Sequence, residues 1–345
     1  MAVGRMPSPR ALLRRLDARR PASPVPAPPL LSRRHLHPPA SPRQQTPPPA
    51  SRSASAPRAT PTPSPYADLF TLSDIPLSAF EAVVSRNAKS FRDPPETYYG
   101  VAQTLSRAVR RGASPWAAAS SFTGRDAVPA ETIHQAACIM RQIAGPRGAD
   151  AFATALWSTA SEMGYRPSTL SLARQLVRSG AYGRVPQLRR VEARFKGLVS
   201  GGRDADALTA EGELLLARGR LDAAAAALTR ALRLGGDFEW RPHCRLCLAR
   251  TYLRMQRSDE ARRLLEVLSE EGVVEADAEL GEMLKGSDVH EARQRMFTAA
   301  CNGRREMFTR LAELELQTLR GGTDGDEDAR LWAVEWSRLA DGREG

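Results

Sequence analysis

The chain has 345 residues and a formal charge of +11, enough length for about two or three domains or for one elongated array of repeats. The charge is concentrated: residues 1–60 hold eleven Arg and one acid, Asp17, while the rest of the chain carries 39 basic and 38 acidic side chains. That near balance argues against a nucleic-acid-binding body, which keeps its basic excess on the surface that meets phosphate, and no run approaches the roughly 18 apolar residues of a membrane span.

Residues 1–65 contain 17 of the 26 prolines with many Ser, Ala and Arg, and cannot bury enough apolar surface to offset the entropy of ordering, so they are expected to be disordered. Within them Arg10-Ala11-Leu12-Leu13-Arg14-Arg15-Leu16 gathers its Leu residues into about 100° of helical arc opposite the Arg residues. A cationic, Ser-rich and acid-poor amphipathic start is what organellar import machinery reads, whereas a secretory signal needs an unbroken apolar stretch. The expected address is the mitochondrion, on the matrix side, with a cut after Arg33-Arg34-His35-Leu36-His37; the bland alternative is a low-complexity tail without an address.

From Tyr66 onward apolar residues recur at spacings of three and four between Gly, Pro and Asp, which is helical periodicity. Ser73-Asp74-Ile75-Pro76 opens a helix, and further helices are predicted over 95–112, 128–144, 148–163 and 168–179. No alternating stretch competes as a strand set, so the expected fold class is all-α. Residues 66–200 form a helical region with degenerate repeats, in which 155–176 reads as a helix pair, and 201–342 form the repeat region proper.

The repeat signal is clearest over 205–270. Leu208, Gly212, Leu215, Gly219, Ala224, Leu228 and Ala231 alternate large and small side chains around a Gly219-Arg220-Leu221-Asp222 turn. Leu248, Ala249, Tyr252, Ala261, Leu265 and Leu268 follow in corresponding places around Gln256-Arg257-Ser258-Asp259. Two antiparallel helices approach closely only where a small side chain faces a large one. This spacing resembles the tetratricopeptide repeat. A third unit over 275–302 keeps Leu280, Met283, Ala292 and Met296 and ends Ala299-Ala300-Cys301-Asn302-Gly303, similar to Sel1-like repeats, and Ala329-x-x-Trp332 opens a further degenerate or capping helix. The resemblance implies a right-handed α-solenoid of antiparallel helix pairs, in which each unit covers its neighbour's apolar face.

Catalytic chemistry is not announced. The phosphate-binding, dinucleotide, zinc-protease and nucleophile-elbow motifs are all missing, so no enzyme, cofactor or metal is expected. His243-Cys244-x-x-Cys247 lacks a second ligand pair, and Cys247 reads as a small core residue. His134-x-x-x-Cys138 reads as a buried His beside a core Cys, the acidic run Asp324–Asp328 as a solvated linker, and the Trp residues as packing.

What remains is a surface. The resemblance implies that the first helix of each unit lines a concave groove, which carries over to Asp206, Thr209, Glu213 and Leu216, then His243, Leu246, Arg250 and Leu253, with Arg254 beside them. Arg250 and Arg254, one helical turn apart, are placed to grip an acidic segment. The expected function is a mitochondrial adaptor that binds proteins through a peptide or helix in this groove, in biogenesis or assembly of an organellar complex. Its rivals are an RNA-binding helical repeat, which predicts a basic stripe on one face, and an enzyme on an unrecognised helical scaffold.

Overall fold

The computed structural model describes residues 65–124, 127–319 and 326–341. The leader expected over 1–65, with its amphipathic segment and cleavage site, lies outside the described residues apart from Pro65, and so does part of the acidic run from Asp324. Among the described residues there is no strand; the fold is all-α.

The first helices are α1 (Leu77–Arg86), α2 (Pro95–Arg110), α3 (Ala130–Met140), α4 (Arg147–Glu162) and α5 (Arg166–Arg178). Their starts are set by proline: Pro76, Pro94, Pro129 and Pro146 are the capping residues of α1 to α4, and Pro167 lies in the first turn of α5. Proline is pre-organised there and gives up only an N–H that would have no intrahelical partner. Next come α6 (Arg189–Gly201), α7 (Ala205–Ala217), α8 (Leu221–Arg233) and α9 (Arg241–Arg254). The series continues with α10 (Ser258–Glu270), α11 (Val274–Leu284), α12 (Val289–Cys301), α13 (Glu306–Leu319) and α14 (Asp326–Asp341).

The chain divides into two compact units, and among the described residues the division falls between Arg295 and Met296, inside α12. In the larger unit one apolar core runs without a break from Phe70 to Leu214, gathering Tyr98, Phe122, Phe152 and Phe195. Beyond it the cores become local. Leu208, Leu228, Ala231, Cys244 and Leu248 join α7, α8 and α9, and Leu246, Leu265, Leu268, Ala276 and Leu280 join α9, α10 and α11. Each cluster is shared by three consecutive helices, which is the stacking logic of a solenoid: one hairpin cannot bury its apolar face alone.

The large-and-small alternation carries this packing. A Cβ added at Gly212 would lie 2.4 Å from Leu228 Cγ, so the absent side chain is what admits α8 against α7. Ala224, Ala231, Ala249 and Ala261 are fully buried. The two turns also correspond: Gly219 has φ +72°, and Gln256, in the equivalent place of the next unit, has φ +61°.

In the unit from Met296 onward, α13 and α14 pair through aromatic packing. Trp336 stacks on Trp332 at 4.9 Å and on Phe308 at 6.0 Å between ring centroids, both at 18°.

Candidate functional site

The first helices of successive pairs, α5, α7, α9 and α11, are joined by charged side chains. At their starts, Asp204 caps α7 by accepting from the Ala207 N–H at 2.9 Å. It also receives Arg166 in a two-pronged pair, at 2.5 and 2.6 Å. Arg166 reaches Asp206 as well, at 2.6 Å, and Asp206 accepts the Trp240 N–H at 3.0 Å. One Arg therefore ties the beginnings of three helices. Burial pushes the Asp204 carboxyl up, but Arg166 and the capping N–H outweigh it and hold the group below the usual carboxylate range.

Halfway along the same row, Glu213 is a hub. It accepts from Arg174 Nε at 3.1 Å and Arg178 Nε at 3.0 Å, and lies 3.0 Å from His243 Nε2. Burial alone would raise its carboxyl; hydrogen bonds from His243 and Arg178, with the charge of Arg174, bring it down to about 2. Arg174 also lies 4.9 Å over the Trp240 ring, a cation–π contact. Further on, Arg250 Nε donates to Glu279 at 2.8 Å, and Arg254 Nη1 donates to the Leu216 carbonyl at 3.0 Å.

These positions correct the expected groove. Leu216 and Leu246 are 8% and 5% exposed. Leu216 packs with Leu215 and Ala224, and Leu246 belongs to the core of α9 to α11, so neither faces a partner. Asp206 and Thr209 are also buried, and Leu253 is half-buried against the Leu246 cluster. The reason is that α7 is covered on nearly every side: α5, α6, α8 and α9 all pack against it, which buries its polar positions along with its apolar ones. Glu213, His243 and Arg250 do lie along one wall, yet each already has a polar partner within the chain.

Sequence reasoning missed Arg174, Arg178 and Glu279, which complete these pairs. Arg174 and Arg178 stand one turn apart like Arg250 and Arg254, and that shared spacing was the available signal. A larger pattern was also missed. Residues 166–257 hold 18 basic and 8 acidic side chains, whereas residues 258–291 hold 3 and 11, so the overall balance conceals two oppositely charged blocks. Within the first block α6 turns Arg189, Arg190 and Lys196 to solvent. Its one acid, Glu192, is buried and accepts the Gly183 N–H at 2.7 Å.

The thiols are quiet. Cys244 donates to the Leu228 carbonyl at 3.5 Å, and Cys247 lies 3.4 Å from His243 Nε2. Burial pushes them up to about 11 and about 12, so both are protonated thiols near neutral pH. Among the described residues no group of three or more His, Cys, Asp or Glu is arranged to hold a metal. His134 Nδ1 meets Ser168 Oγ at 2.9 Å and its Nε2 lies 3.5 Å from Cys138 Sγ. Ser168 is fully buried, and burial raises Cys138 to about 11 and lowers His134 to about 4, so near neutral pH the trio is an uncharged, buried contact between α3 and α5. A cleft of about 700 Å³ bounded by Asp68, Leu69, Asp74, Ile75 and Pro146 has those two carboxylates as its ionisable side chains. Among the described residues no helix is long and apolar enough to cross a membrane.

Compared with known proteins, residues 215–280 match the family model of the tetratricopeptide repeat. Those residues take in the end of α7, all of α8, α9 and α10 and the start of α11, the stretch where the large-and-small register is tightest. No curated protein matches the chain. A solved structure, a Sel1 repeat protein from Oxalobacter formigenes, is similar at 18% identity with a TM-score of 0.45, over 71% of this chain and 97% of that one.

Proposed function

We propose that this chain is a mitochondrial adaptor that binds partner proteins along its row of first helices, in biogenesis or assembly of an organellar complex. The observation that carries this reading is the charged wall of α5, α7, α9 and α11. Its carboxylates lie inward, while Arg178, Arg250 and Arg254 stand at its solvent edge, with the Arg178 side chain 57% exposed. Arg254 is exposed and holds only the Leu216 carbonyl, and Arg250 is partly exposed beside Glu279, so a partner's acidic segment can compete for both guanidinium groups. The adaptor role itself is drawn from the tetratricopeptide-type register, and the organelle from the Arg-rich, acid-poor first 60 residues.

Two experiments test the two halves separately. Arg250→Glu with Arg254→Glu is expected to lower recovery of partner proteins from mitochondrial lysate by about tenfold, with helicity unchanged; undiminished recovery defeats the binding surface. Residues 1–60 fused to a fluorescent protein are expected to direct it to mitochondria, and a diffuse cytosolic signal defeats the address.

A second reading is favoured by one observation, the basic outer face of α6. Arg189, Arg190 and Lys196, flanked by exposed Arg184 and Arg203, make the segregated stripe that an RNA-binding repeat requires. Filter binding of structured RNA to the full chain decides it. Retention that falls steeply with salt and is lost in Arg189→Glu with Arg190→Glu supports RNA, while retention unaffected by those changes removes it.

A further inference from the structure

The last helix, α14, is built with two opposite faces. Ala333 and Trp336 are buried, Trp336 stacks on Phe308 of α13 and Trp332 stacks on Trp336, so this side is already packed. On the other side Glu327, Leu331, Val334, Arg338 and Asp341 follow at spacings of four and three, which places them in one stripe about 80° wide. All five are exposed, Leu331 and Val334 at 59% and 58%. Two large apolar side chains this exposed and side by side on an otherwise charged helix face mark a patch suited to a partner.

We propose that this stripe is a self-association surface, on which α14 of a second copy packs antiparallel. The order of charges selects that occupant. In an antiparallel pair related by a two-fold axis midway between Leu331 and Val334, each Leu331 faces the other copy's Val334. The same axis lies midway between Glu327 and Arg338, so each Glu327 faces the other copy's Arg338. One register thus closes an apolar centre with an opposite-charge pair at either end. A parallel pairing would set Glu327 against Glu327 and Arg338 against Arg338, which is repulsive. Isologous pairing of one patch with itself is the commonest arrangement of soluble homodimers. Arg338 is held meanwhile by Glu335 of its own helix at 3.1 Å, an exposed pairing that costs little to exchange.

The size of the stripe sets the strength. One helix on one helix buries less than the roughly 1,200 Å² of a standard stable interface, so the dimer is weak, with a dissociation constant of order 10–100 µM. It is also salt-sensitive, through its two charge pairs.

Sedimentation equilibrium of the full chain, from about 1 to 300 µM, tests the inference. A monomer–dimer equilibrium is expected. Glu327→Arg and Arg338→Glu should each weaken it by about tenfold, and the double reversal should restore it, because the pair is then re-formed with its signs exchanged. Leu331→Asp with Val334→Asp should abolish it. All these positions are exposed, so circular dichroism should report unchanged helix content throughout. A chain that stays monomeric over the whole range overturns the proposal, as does a dimer indifferent to either single reversal or not rescued by the double one.

Discussion

Between Gly212 and Leu228 the two helices of the first clear unit meet with no room for a methyl group. Alanine is ordinarily favoured over glycine inside a helix by about 1 kcal/mol, yet here the added Cβ would sit 2.4 Å from a buried Leu228 carbon. Overpacking of that kind costs about 1–3 kcal/mol, so Gly212→Ala is expected to destabilise, read as a lower midpoint in thermal or urea unfolding. Combining it with Leu228→Ala makes room, and the double variant should lose less than the sum of the singles. A stabilised Gly212→Ala would contradict the observed approach. His134 contributes at the same scale. Burial lowers it to about 4 from 6.5, so the folded state holds it neutral while the unfolded chain takes up a proton first. Its contribution is complete above pH 6.5 and is lost as the pH falls toward 4, by about 3 kcal/mol when fully protonated. Unfolding free energy measured across that window should fall with decreasing pH, and His134→Phe should flatten the fall.

Among helices, the sign of charge alternates along the row: Arg174 and Arg178 on α5, Glu213 on α7, Arg250 on α9 and Glu279 on α11. Arg174 and Arg178 join α5 to Glu213 of α7, His243 of α9 joins the same carboxylate and Arg250 joins α9 to α11, so the ladder supports the stacking of hairpins as well as offering charge at the edge. Glu213→Gln leaves two Arg and a His around a neutral amide, and removing one partner of a largely buried network costs about 2–3 kcal/mol. The sign with pH follows from a carboxyl that titrates at about 2 when folded, against 4.5 ordinarily: its stabilisation is present above 4.5 and disappears as the pH falls toward 2. The gap between the native chain and Glu213→Gln in unfolding free energy should therefore be widest near neutral pH and close over that acid range. The helices themselves are legible from apolar spacing and proline, since the expected 95–112 and 148–163 correspond to Pro95–Arg110 and Arg147–Glu162. The face that each presents was less legible. On α7 the polar residues Asp206, Thr209, Glu211 and Glu213 do not all gather on one side, so periodicity marks no single solvent face and does not show that Leu216 is buried.

Across the molecule, two separations stand out. The chain parts into compact units at Met296, not at residue 200, because the core that begins at Phe70 runs through α6 into α7 and leaves no seam there. The charge parts into a basic block over 166–257 and an acidic one over 258–291, which a count of the whole chain cancels. An all-helical body, its pairing into hairpins and the small residues at their contacts were determined by sequence alone, because helical period, turn glycine and the Gly212 and Ala224 spacing are properties of residues close together along the chain. Only the tertiary structure decided which charges are consumed within the protein and which reach solvent. Arg166 meets Asp206 forty positions away, and Arg250 meets Glu279 twenty-nine away. Such meetings depend on how one hairpin settles on the next, and a side chain's availability to a partner is what remains after those internal pairs are made.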